Sequence, residues 1–214
     1  MSSGNNLDEF LNSQSKNVHS SDRALANLVR NAYPIGVPAL IMKSSTDRMM
    51  MSSGYSFILG TPDELLRNLA SWLITEAGNT HRVLLKLIRR LWKRHGREDI
   101  ALAAILLANI DHKGMGTNPW EILEDSIHPV ESVDSLLLNI EELFRAKRQP
   151  PSKELILKWK NRRKIDQHLS LMVIYSGRIH GHDFSEELIR EVSSIEIPPG
   201  DSILTRIKSN LVEN

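Results

Sequence analysis

The sequence predicts an all-α chain, and three observations carry that prediction. Every strong apolar periodicity lies near 3.6 residues, and no stretch alternates convincingly with period two. Short joints bearing Pro, Gly or polar residues, such as 33–38, 78–80 and 149–151, separate the periodic segments. Between His81 and Asn109, two complementary helices follow one another. His81–Arg97 sets Leu84, Leu85, Leu87, Ile88, Leu91 and Trp92 on one arc. Its other arc carries Arg82, Lys86, Arg89, Arg90, Lys93, Arg94 and Arg97, without an acid among them. Ile100–Ile110 is uncharged and apolar all round, so it has to be buried on most sides.

Taken in order, Met1–Asp22 is rich in Ser and Asn and reads as a flexible leader over 1–20, with Leu7, Phe10 and Leu11 able to form one helical turn. Arg23–Ala32 is a helix capped by Ser21 or Asp22. Ala39–Met51 is expected to be helical, with Met49–Met51 partly buried, and Tyr55–Leu59 to be a short strand or an extended loop. Thr61 caps the next helix, with Pro62 at its first position. The basic helix follows and stops at Gly96, and Glu98 and Asp99 stand where a new helix N-terminus favours acids. Asp111–Thr117 is a loop, Asn118 caps a short helix, and His128–Pro129 breaks it. Val130–Lys147 is helical, Ser152 opens a helix towards Lys164, and the apolar run Ile165–Ser176 is helical too. Gly177–Asp183 is a loop, Ser185–Ser194 a helix, and Asp201 or Ser202 caps the last one. About ten helices joined by short loops are expected to pair antiparallel and stack as a right-handed α-α superhelix, a solenoid of the HEAT or ARM kind. They would form one domain over 21–214.

Composition narrows the function classes. The chain has no cysteine, which excludes disulfides, thiolate metal sites and a Cys nucleophile. No apolar run reaches transmembrane length, so no membrane association and a cytoplasmic location are expected. The net charge is only +1, yet charge is segregated: bases cluster in 82–97 and 145–164, and acids in 121–142. The second basic cluster holds Arg145, Lys147, Arg148, Lys153, Lys158, Lys160, Arg162, Arg163 and Lys164. A charge run is ordinarily a solvated face, but like charges so concentrated call for an anion opposite them. A phosphate backbone is the commonest large one. Glu131 and Asp134, three apart, are expected to share a helical face. His180-Gly-His182 is a weak metal hint without a third ligand, and no cofactor or metal is expected.

Leu91-Trp92, then Glu98 six residues after the tryptophan and Ala103 five further on, resembles a signature of the DNA alkylation repair family. These are HEAT-like proteins whose active members are alkylpurine DNA glycosylases. The family's Trp-Trp-Asp-x-Val-Asp segment is similar to Pro129-Val130-Glu131-Ser132-Val133-Asp134, and its catalytic aspartate falls on Asp134. Its Trp-x-x-Arg is similar to Trp159-Lys160-Asn161-Arg162, so Arg162 takes the place of a groove arginine. Pro129 and Val130 stand where the family has tryptophans.

The expected function is accordingly a DNA-binding HEAT-like protein related to alkylpurine glycosylases, with duplex DNA as partner and base excision repair as setting. Arg82, Lys86, Arg89, Arg90, Lys93, Arg97, Trp159, Arg162 and Arg163 would contact DNA. Asp134, backed by Glu131, would stabilise an oxocarbenium-like sugar while a cationic alkylated purine leaves. The alternatives are a catalytically inactive scaffold for a protein or acidic partner, favoured by the missing aromatic pair, and an RNA-binding helical protein.

Overall fold

In the computed structural model, which describes residues 3–37, 54–79 and 81–213, every regular element is helical. In chain order these are α1 (Ser3–Asn12), a short 3-10 helix (Lys16–Ser20), α2 (Asp22–Ala32), α3 (Asp63–Ala77), α4 (Arg82–Arg94), α5 (Arg97–Asn109) and α6 (His112–Met115). They continue with α7 (Pro119–Ser126), α8 (Val133–Arg145), α9 (Lys153–Lys160), α10 (Lys164–Ile179), α11 (Glu186–Ser193) and α12 (Ser202–Glu213). The all-α reading is correct. The helix expected over 39–51 and the burial expected of Met49–Met51 lie outside the described residues.

Contacts divide the chain into two compact units, Met1–Pro119 and Trp120–Asn214, where one domain over 21–214 was expected. The expected leader is also more structured than its composition suggests. It is helical from Ser3, and Leu7 and Leu11 are buried at 1% and 4% exposure.

In the first unit the apolar helix α5 packs on α4 and α3, and α4 also packs on α2. Ile100–Ala108 is buried throughout, as an all-apolar surface demands. Leu84, Leu87, Ile88, Leu91 and Trp92 turn the back of α4 into the core. The helix ends one residue before the expected glycine. His95 takes the left-handed cap at φ 59°, and Gly96 is extended at φ −76°. Gly96 is needed for room instead: a Cβ there would come within 1.9–2.3 Å of the Phe57 ring. Tyr55–Thr61 contains no strand and runs extended along this corner. The Ser56 amide donates to the His95 carbonyl at 2.8 Å, and the Arg97 amide to Phe57 at 2.9 Å. Thr61 does not cap α3. Its hydroxyl donates to the buried Tyr33 carbonyl at 2.9 Å, leaving Pro62 at the cap position with no side-chain bond.

In the second unit α10 is the central element, packed on α8, α9, α11 and α12. Leu169 and Leu171–Ile174 are fully buried on it. Four helix starts are set by local caps: Ser132, Ser152, Ser185 and Asp201 each accept from the amide three residues on. The Ser132 cap starts α8 at Val133, later than expected, so Glu131 lies outside the helix and shares no helical face with Asp134. A turn at 161–163 separates α9 from α10. α10 then continues past Gly177, which was expected to begin a loop. That glycine is required by neighbours: a Cβ would lie 2.7 Å from the Phe184 ring and 3.2 Å from Phe144. Within each unit several helices adjacent in sequence pack on one another, α3 on α4, α4 on α5, α9 on α10, α10 on α11 and α11 on α12, as in solenoid-like helical repeats.

Candidate nucleic-acid interface

The front of α4 carries its cations at helical spacing, but the surrounding elements treat them differently. Arg94 is half-buried and structural. Its Nε and Nη2 reach both oxygens of the fully buried Asp99 at 2.6 and 2.5 Å, and Nη1 donates to the Ala26 carbonyl at 2.6 Å. The Tyr33 hydroxyl donates to the same carboxylate at 2.8 Å. Burial, reinforced by the charge of Asp99, pushes the Tyr33 phenol well above its usual range. Burial opposes the charge on Arg94, but its bonds to Asp99 outweigh this and hold its pKa above the usual value.

Arg90 is also engaged, with its Nε 2.6 Å from Asp22 at the start of α2. That hydrogen bond chiefly, assisted by the charges of Arg90 and Lys86, holds the Asp22 carboxyl below its usual range. Arg97 lies 3.8 Å from the buried Glu98. Glu98 Oε1 in turn accepts the amides of Leu59, Gly60 and Thr61 at 2.9–3.4 Å. The residues that suggested a family signature thus hold the α4–α5 corner. Trp92 and Ala103 are buried, and Glu98 anchors the extended segment.

Arg82, Lys86, Arg89 and Lys93 remain. All four are exposed, and none makes a salt bridge among the described residues. Their spacings of four, three and four residues keep them on one stripe. At about 1.5 Å per residue the stripe is roughly 16 Å long.

The second basic cluster behaves otherwise. Six of its nine cations find carboxylates within the chain itself, while Lys147 and Lys164 are exposed without a salt bridge among the described residues. Glu124, 5% exposed, receives Arg162 and, at 3.0 Å, Lys158. Asp166, fully buried, holds Arg163 at 2.7 Å, and Glu142 holds Arg145 at 2.8 Å. Glu187 and Glu191 take Lys153 and Lys160. Trp159 is fully buried and serves as core rather than as a contact surface.

The carboxylates proposed for chemistry are also separated by environment. Asp134 is exposed in the first turn of α8, without a hydrogen bond or ion pair among the described residues. Glu131 is buried at 8% exposure, and its Oε1 accepts the Ser132 amide at 3.2 Å. No hydrogen bond or ion pair joins Asp134 to Arg162 or Arg163 among the described residues. His180 and His182 pack on the Phe144 ring at 5.4 and 5.2 Å, and His180 Nε2 is 2.8 Å from Glu141. Among the described residues, no group of three side chains could hold a metal.

Compared with protein-family models, curated proteins and solved structures, the chain matches none. No described helix is long and apolar enough to cross a membrane. The partners that sequence reasoning missed are Asp22 for Arg90 and Asp99 for Arg94. For Asp99 a local signal existed, since it lies three residues after Gly96 at a helix start and its carboxylate accepts the Gly96 amide at 3.4 Å. For Asp22, 68 residues from its partner, there was none.

Proposed function

We propose that this protein binds the sugar–phosphate backbone of duplex DNA through Arg82, Lys86, Arg89 and Lys93. The observation that carries this reading is the stripe itself: four exposed cations on one rigid helix, without salt bridges to described residues, while neighbouring cations are neutralised. Phosphate contacts of this kind position a protein on a duplex without reading its sequence. The one aromatic residue on α4, Trp92, is buried, so the stripe itself offers no stacking platform of the sort that holds single strands. The proposed setting is cytoplasmic. We confine the proposal to binding, because electrostatic stabilisation of a cationic sugar needs a partly desolvated carboxylate and Asp134 is exposed.

The test is fluorescence anisotropy on a labelled duplex at varied salt. Four neutralised phosphates give a slope near −3.6, so affinity should fall about two decades between 50 and 200 mM salt. Replacing Arg89 and Lys93 with Glu should remove most of the binding and at least halve the slope. Salt-independent binding, or an acidic peptide preferred over duplex, would make the stripe a docking face for protein. Release of alkylated purine by the wild type, lost in Asp134→Asn, would add catalysis to the binding reading.

A further inference from the structure

In the second unit, six cations are held by carboxylates, whereas Arg178 and Arg190 come from two different helices to the wall of one cavity. Neither makes a salt bridge among the described residues, and the cavity they line measures about 390 Å³. Arg178 comes from the last turn of α10 and Arg190 from the last turn of α11. Ile189, Leu211 and Val212 give the same cavity an apolar wall, and Val212 is 67% exposed. Glu186 stands at the cavity too, one helical turn before Arg190.

Each component restricts the ligand. Guanidinium groups from two helices suit a planar carboxylate, which can accept a forked pair of hydrogen bonds. An apolar wall with an exposed valine favours an aliphatic body, since a small inorganic anion would leave that surface wet. Glu186 at the cavity offsets part of the charge of the two arginines, and Arg190 also acts on Glu187, which favours a monoanion over a dianion. The volume falls within the small-molecule range of roughly 300–1,000 Å³.

We propose that this cavity binds an aliphatic monocarboxylate, either a free medium-chain acid or the C-terminal residue of a peptide. The site belongs to the second unit, so it stands independently of the α4 stripe. Cations in a last helical turn also complement the helix dipole. The experiment must therefore separate ligand binding from that structural role.

Isothermal titration of the full chain with octanoate is compared with 1-octanol, and a peptide ending in Leu-Val is compared as free acid and as amide. Octanoate or the free-acid peptide should bind, and whichever binds identifies the source of the carboxylate. The matched alcohol or amide should be at least about tenfold weaker, the loss expected for one charge-assisted hydrogen bond. Arg178→Gln and Arg190→Gln should each weaken binding about tenfold. Glu186→Gln should tighten it, a change that a purely structural site would not show. The proposal is overturned if neither carboxylate binds at millimolar concentration, or if octanol matches octanoate. It is also overturned if the two Gln variants lower the melting temperature and leave affinity unchanged.

Discussion

Asp99 shows how much a single side chain commits. It is fully buried, yet it takes two bonds from Arg94 and one from Tyr33. A buried carboxylate is tolerable only when its charge is matched and its oxygens are satisfied. Removing the guanidinium while keeping the volume, as in Arg94→Met, would strand that charge. Breaking a buried pair in this way costs about 3–5 kcal/mol, and urea denaturation should report a loss of that order. Asp99→Asn should cost less, since the amide retains an acceptor for Tyr33 and leaves the partly exposed Arg94 able to reach water. If both variants lie within 0.5 kcal/mol of wild type, about the range of ordinary surface substitutions, the cluster is not a structural anchor.

At the scale of the element, most helix bounds were legible, including the stop at Ala32, while the start of α8 and the roles of two glycines were misread. Ser132, Ser152, Ser185 and Asp201 cap within three residues of themselves, so sequence contains the whole interaction. The two glycines expected to end helices are instead sites of close approach by Phe57 and Phe184, and those rings are distant in sequence or invisible to a helical pattern. Gly177 gives the sharper test. Alanine in a helix interior is ordinarily better than glycine by about 1 kcal/mol. Here the added methyl would push into the Phe184 ring at 2.7 Å, with Phe144 close behind at 3.2 Å. Overpacking of that kind costs about 1–3 kcal/mol, so Gly177→Ala should destabilise in thermal or urea unfolding. A second change, Phe184→Leu, should recover part of the loss, whereas a stabilised Gly177→Ala would mean that the ring moves aside freely.

For the whole molecule, the charge pattern predicts a response to acid. His168 in the second unit and His19 in the first both have pKa values held below the ordinary 6.5, chiefly by burial. Asp201 opposes the shift at His168 and Lys164 adds to it, while Glu76 opposes it at His19. A group whose folded pKa is depressed binds fewer protons in the folded chain than in the unfolded one. Its contribution to stability is therefore complete above pH 6.5 and is lost as pH falls through the folded pKa. Urea midpoints should drop as pH falls below about 6.5, and His168→Gln should flatten that slope in part. A slope unchanged in His168→Gln would place the acid sensitivity elsewhere.

The sequence by itself determined the secondary structure class, most helix starts, the buried face of α4 and the burial of α5, because periodicity and caps act over three or four residues. It also located the stripe of cations. Only the tertiary structure decided which of those cations remain available. Arg90 meets Asp22 across 68 residues, and Glu124 meets Lys158 and Arg162 across 34 and 38. An ion pair forms where folding brings two charges within a few ångströms, and nothing in the local pattern records that distance. The same holds for Asp134 and Trp159. Their motif spacing was readable in the chain, but the exposure of one and the burial of the other came from packing alone.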